Sequence, residues 1–374
     1  MKKIFPFYST LICLCACVPG NAQTADKLAS PETQNLIKNL HRQLAKGIMF
    51  GHQDDLAYGV GWKYEKGRSD VKETTGQYPA VYGWELGGLE TDVAVNLDGV
   101  PFNKMKQFIA DGYARGGVIT ISWHLNNPLT GKSAWDPAPG TVQAVLPGGE
   151  KNELYKSWLD KVAVFMLNLK GKKGEYIPII FRPFHELNGS WFWWGKNHCT
   201  PEQLKQLYRF TETYLRDIKK VHNLLYAFNT DRFSSAEDFL ERYPGDDYVD
   251  IIGFDIYQKN DILSNDKFIA EADKSLSIIE KIAASKNKIP ALTEFGYNTV
   301  PDARWWTTVL IKAMAKHSIS YAVAWRNAGQ KSKDETEFYV PYKGQISAAD
   351  FKNFSLTDKM IFENKATKNK LYAK

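Results

Sequence analysis

Eight short runs of β-prone, apolar residues recur down this chain, and no other feature limits its possible folds so strongly. They occupy residues 47–50, 80–84, 118–123, 177–184, 224–228, 249–257, 289–293 and 318–325, with amphipathic stretches at 103–115, 153–170, 203–221, 267–285 and 304–316 between them. Continuous apolar runs, rather than alternating ones, are the pattern of parallel strands buried on both faces. Eight such units in 374 residues predict an α/β chain folded as a (β/α)8 barrel, with an open doubly wound sheet as the structural alternative. No Gly-x-Gly-x-x-Gly or Walker-type loop follows the first run, where a nucleotide-binding open sheet would carry one. One helix start is marked in detail. Thr200-Pro201-Glu202-Gln203 offers an N-cap threonine, proline at the first helical position and glutamine where a capping box needs it.

The first twenty-two residues read as a secretory leader: Lys2 and Lys3, an apolar run over 4–18, then small residues. Two processing routes compete. Gly20-Asn21-Ala22 is a cleavage site before Gln23, whereas Leu14-Cys15-Ala16-Cys17 matches a lipobox ending at Cys17. Either route exports the protein to the periplasm or cell envelope, and residues 23–374 are then expected to form a single domain, monomeric and without a membrane-spanning segment. Of four cysteines only Cys199 lies outside the leader, so no internal disulfide is available. Loss of Lys2 and Lys3 lowers the formal charge from +6 to +4. A balance so small and evenly spread argues against nucleic acid or an anionic membrane as partner.

In a barrel of this kind the active site forms at the C-terminal ends of the strands. The runs end in Gly51-His52-Gln53-Asp54, Trp123-His124, His185-Glu186, Asp255-Ile256-Tyr257, Glu294 and Trp325-Arg326, more charge than closing a core requires. In the fourth run, strict alternation would put Arg182, Phe184 and Glu186 on one side. Glu186 and Glu294 would then face each other across the mouth. Such a pair is the machinery of glycoside hydrolysis, in which one acid protonates the leaving oxygen while the other attacks the anomeric carbon or activates water. A lone glutamate at a strand end is more often a solvated or salt-bridged carboxylate; two of them, flanked by His185 and by Trp191-Phe192-Trp193-Trp194, favour chemistry. Flat aromatic rings pack on the C–H faces of sugars, and Trp135, Trp191, Trp193, Trp194 and Trp325 all follow strand ends. Any one tryptophan is more often core packing, but Trp191 at least is expected to line a cleft.

Other chemistries fit less well. His52, Asp54, His124, His185 and Glu186 could converge on a divalent ion, but no His-x-His or His-Glu-x-x-His spacing occurs, and a metal would leave Glu294 and the tryptophans unexplained. No metal or cofactor is therefore expected. There is no Gly-x-Ser-x-Gly elbow for a serine hydrolase.

The segments 182–194 (Arg-Pro-Phe-His-Glu-Leu-Asn-Gly-Ser-Trp-Phe-Trp-Trp) and 292–296 (Leu-Thr-Glu-Phe-Gly) resemble the acid/base and nucleophile segments of glycoside hydrolase family 26, whose best-known members are β-1,4-mannanases. The likeness extends over roughly residues 30–365. It implies Glu186 as acid/base and Glu294 as nucleophile, with Tyr257 as the hydrogen-bond partner of the nucleophile. It also implies substrate contacts from His124, His185 and Trp191, with Trp325 as the platform beneath the sugar at the cleavage point. Trp135 and Arg326 match less firmly, Arg182 is included with the substrate-binding set, and His52 is read as structural support. The partner so implied is β-mannan or manno-oligosaccharide. With no carbohydrate-binding module in view, soluble oligosaccharide or galactomannan is the expected form. Another β-glycan, such as mixed-linkage glucan or β-1,3-xylan, and a non-catalytic glycan-capture protein on the same barrel are the alternatives. The loops at 126–150 and 327–347 are long enough to shape the cleft.

Overall fold

The computed structural model describes residues 24–258 and 264–374; the leader and Cys17 lie outside them. All eight expected strands form, here β1 (Ile48–Gln53), β2 (Val81–Glu85), β3 (Val118–Trp123), β4 (Ile179–Pro183), β5 (Leu224–Thr230), β6 (Ile251–Gln258), β7 (Ile289–Tyr297) and β8 (Tyr321–Ala324). Each pairs in parallel with its neighbour in sequence, and β1 pairs with β8 through Met49↔Tyr321 and Gly51↔Val323. That pairing closes the sheet, so the open-sheet alternative is excluded and the chain is a (β/α)8, or TIM, barrel.

Alternation along the strands sorts the core into two shells. Met49, Val81, Ile180, Ile251, Ile289, Tyr321 and Val323 fill the barrel, joined by Leu36 and Leu40 of the helix Pro31–Gln43. Ile179, Phe181, Leu224, Tyr226, Ile252 and Leu292 pack outward. The helix Pro201–Thr213 starts as expected, with a complete capping box between Thr200 and Gln203. Among the described residues no helix is long and apolar enough to cross a membrane.

Of the strand boundaries that differ from expectation, two bear most directly on the site. β7 runs on to Tyr297, so Glu294 sits within a strand paired to β6, opposite Asp255, beside a register shift between Phe254 and Asp255. β4 stops at Pro183, and Phe184 and Glu186 then take left-handed backbone angles, φ 55° and 51°. Period-two alternation cannot continue through such residues. Phe184 accordingly turns outward to pack on Trp193, Trp194 and Tyr208, instead of sharing a side with Arg182 and Glu186.

Candidate active site

The deepest part of the mouth is organised around Arg182. Its guanidinium is 2% exposed and donates from Nη2 to Glu294 Oε1 at 2.5 Å and from Nη1 to Asn229 Oδ1, with Asp255 Oδ2 3.8 Å away. Burial opposes its charge, but Glu294 and Asp255 more than offset this and hold it firmly protonated. The other oxygen of Glu294 accepts from the Tyr257 hydroxyl at 2.7 Å. The arginine expected to touch substrate thus lies buried beneath Glu294 with both terminal nitrogens engaged, a placement that suits it to orient that carboxylate.

Glu186 stands half-buried at the rim and accepts from the Trp191 indole at 2.7 Å. Desolvation first, then the charges of Glu294 and Asp231, push its carboxyl up to about 8, against the pull of Trp191. Glu186, Asp255 and Glu294 bring one oxygen each within 4.8 Å of one another. Among the described residues this is the cluster that could hold a cation, and the Arg182 guanidinium already supplies one to it. Asp255, buried and pushed well up by desolvation and Glu294, is held by the Thr293 hydroxyl at 2.8 Å. The histidine-rich set considered for a metal does not gather: His52 turns to Asp55 Oδ1 at 2.9 Å, the carboxylate that also takes Ser69, in a supporting role.

A second group lines the rim. His124 Nε2 and His185 Nε2 lie 3.0 Å apart, and Trp135, 47% exposed, stacks on His124 with centroids 5.2 Å apart and planes 15° from parallel. Trp325 is half-buried, its ring 6.5 Å from His124. Of the aromatic run, Trp191 is exposed, whereas Phe192, Trp193 and Trp194 are buried. Trp193 and Trp194 hold the loop from within, through Trp193 to the Leu125 carbonyl and Trp194 to the His185 carbonyl. Arg326 reaches Glu337 Oε1 at 2.8 Å and Asp98, which ties together the loops after β8 and β2.

Glu85, Asn229, Asp98 and Glu337 were not singled out from the sequence, and Asp255 was noted only as a strand end. The available signal was weak: Glu85 and Asn229 are buried polar residues at the C-terminal ends of largely apolar strands, where a partner is obligatory.

A closed (β/α)8 barrel with two carboxylates this close at the C-terminal mouth, one shielded from ionising and one clamped by arginine and tyrosine, is the framework of a glycoside hydrolase. The chain belongs to glycosyl hydrolase family 26, whose model matches residues 25–320. It is 34% identical to a mannan endo-1,4-beta-mannosidase of Bifidobacterium adolescentis over 92% of this chain, and 30% identical to one of Bacillus subtilis over 64% of it. It spans 36% of the length of the first and 66% of the second. Among solved structures it superposes on BoMan26A, a GH26 beta-mannanase from Bacteroides ovatus, with TM-score 0.86 and 45% identity, covering 90% of this chain and 96% of that one. The catalytic domain of a Bacillus sp. JAMB-750 GH26 endo-beta-1,4-mannanase gives TM-score 0.86 at 33% identity, over 94% and 96% of the two chains.

Proposed function

We propose that this protein is a retaining β-1,4-mannanase that cleaves mannan, galactomannan or manno-oligosaccharides by double displacement. The observation that carries the reading is the approach of Glu186 and Glu294 oxygens to within 4.8 Å. Retaining glycosidases hold the two carboxyl groups ~5–5.5 Å apart, whereas inverting enzymes leave room for water at roughly 6.5–9.5 Å.

Glu294 is the nucleophile. Arg182 and Tyr257 aim it, because both donors act on opposite oxygens of one carboxylate. Glu186, kept protonated near neutral pH by its surroundings, donates its proton to the leaving glycosidic oxygen as Glu294 bonds to the anomeric carbon. Formation of the glycosyl-enzyme removes the charge on Glu294 that raised the Glu186 pKa. Glu186 then acts as base, taking a proton from the water that releases the sugar. His124, His185, Trp191, Trp135 and Trp325 line the surface that the sugar chain crosses, with Arg326 at its edge.

Mannan as substrate is supported by the names of the two relatives described above, both mannan endo-1,4-beta-mannosidases. Export to the periplasm or envelope follows from the leader, with cleavage before Gln23 or lipid attachment at Cys17, which the mass of the mature N-terminus distinguishes.

The test is the product profile from linear mannan, galactomannan and mixed-linkage glucan, with EDTA present and Glu294→Ala as control. Manno-oligosaccharides from the mannans, and none from the variant, are expected. Activity confined to glucan would keep the mechanism and overturn the substrate; no hydrolysis by the native protein would leave glycan capture.

A further inference from the structure

We infer that Glu85 is a positioning residue, fixing the protonated Nδ1 and the ring orientation of His124 and thereby the placement of His185 against the sugar. The inference rests on the mannanase reading for the use made of the two rings, but not for their geometry.

Glu85 ends β2 and lies opposite Ser122 of β3. It is fully buried, yet its carboxylate is completely occupied. Oε1 accepts the backbone N–H groups of Gly87 and His124, both at 2.6 Å. Oε2 accepts the Ser122 hydroxyl at 2.6 Å and His124 Nδ1 at 2.8 Å. Four donors on two oxygens leave no role for a proton on the acid. Burial alone would raise its pKa, but the charge and hydrogen bond of His124, with that of Ser122, overrule it and draw it down to about 2.

The geometry is selective because two of the four donors belong to one residue. Holding both the main chain and the ring of His124 removes rotation about its side-chain bonds. It also assigns a hydrogen to Nδ1, since a carboxylate oxygen at hydrogen-bond distance can only accept. The free end of the ring, Nε2, must then face His185 Nε2 at 3.0 Å. The two nitrogens share a single hydrogen, so the state of His124 sets the tautomer of His185. His185 itself is 1% exposed and kept neutral, chiefly by desolvation and then by the charges of His124 and Arg182. Trp135 stacked on one face of His124 completes the clamp. A carboxylate that orients a working imidazole has this arrangement in other enzymes.

Glu85→Gln would keep the shape but place an NH2 group where Oε2 meets the His124 Nδ1–H. Two donors would oppose each other, and the imidazole must move its hydrogen to Nε2 or swing away. Long-range 1H–15N spectra of the native protein, with His124 assigned by comparison with His124→Ala, should show Nδ1 protonated; a bare Nδ1 overturns the proposal whether or not any variant folds. In Glu85→Gln, kcat/KM on mannotetraose should fall roughly 10- to 100-fold, the usual effect of losing a group that orients a histidine. In the His124→Ala background the same change should cost less than about twofold, because its effect passes through a ring no longer present. Full, additive losses in both backgrounds would mean a merely structural carboxylate and sink the idea. If the native protein cleaves no mannoside, the mannanase reading fails, while the spectra still decide the part played by Glu85.

Discussion

The indole Nε1 of Trp191 donates to Oε2 of Glu186 at 2.7 Å, across a turn in which Glu186 itself is left-handed. This single bond joins an exposed aromatic ring to the carboxyl group proposed as the catalytic acid. It stabilises the charged form of Glu186, so it restrains a pKa that burial, Glu294 and Asp231 push up to about 8.

Trp191→Phe removes that restraint. The Glu186 pKa should rise further, and the alkaline limb of kcat/KM against pH, which reports loss of the acid's proton in the free enzyme, should move upward. Lost sugar stacking would change KM as well, but not the position of the limb. A limb that stays or moves to lower pH would show that Glu186 does not set it.

Glu186→Ala and Glu294→Ala should separate by leaving group. Each should lose on the order of 10³-fold or more on mannan. An aryl mannobioside with an acidic phenol leaves without protonation, so Glu186→Ala should retain formation of the glycosyl-enzyme and accumulate it. Glu294→Ala should not react with either substrate. Rapid-quench kinetics with mass spectrometry of the intact protein would check both outcomes.

Arg182→Met should destabilise the fold as well as the chemistry. The guanidinium is buried between Glu294, Asn229 and Asp255, and its removal strands acidic groups without a cation. Breaking a buried pair in this way costs about 3–5 kcal/mol. Urea unfolding at pH 7 should show a loss of that order, together with activity near background. A variant of native stability would mean that water or a local shift replaces the arginine.

Gly296→Ala should imitate Tyr257→Phe. A Cβ at Gly296 would lie 2.3 Å from Tyr339 Cδ1 and 2.7 Å from Tyr257 Cδ1, and the two rings already pack edge to face with centroids 5.7 Å apart. The displaced Tyr257 would lose its bond to Glu294, as Tyr257→Phe does directly. Hydrogen bonds to charged groups are worth about 1.5–3 kcal/mol, so both variants should lose roughly 10- to 100-fold in kcat. The double variant should be little worse than either alone, measured by steady-state kinetics.

The barrel was legible because its physics is local. Parallel strands covered on both faces must be apolar almost throughout, so each announces itself as a short run, and polar residues at the ends of such runs mark the mouth. Glu186, Glu294, Tyr257 and the two cleft histidines stand at the mouth for that reason. The capping box at Thr200 was legible in the same way, since both bonds span only three residues.

The roles within the mouth depended on contacts that sequence spacing does not encode. Arg182 reads as one more polar strand-end residue, and only closure of the barrel puts Glu294, 112 positions on, against it. Trp191 and Trp193 look alike in the sequence, but left-handed residues after Pro183 change which way the chain turns, exposing the first and burying the second. Glu85 is unremarkable until β2 and β3 align it with Ser122 and His124. The sequence by itself determined the strands, their order and the two carboxylates, because hydrophobic burial repeats with a fixed local period. The tertiary structure decided which groups hold, charge and shield those carboxylates, because hydrogen bonds and desolvation act between strands that only the closed barrel brings within a few ångströms.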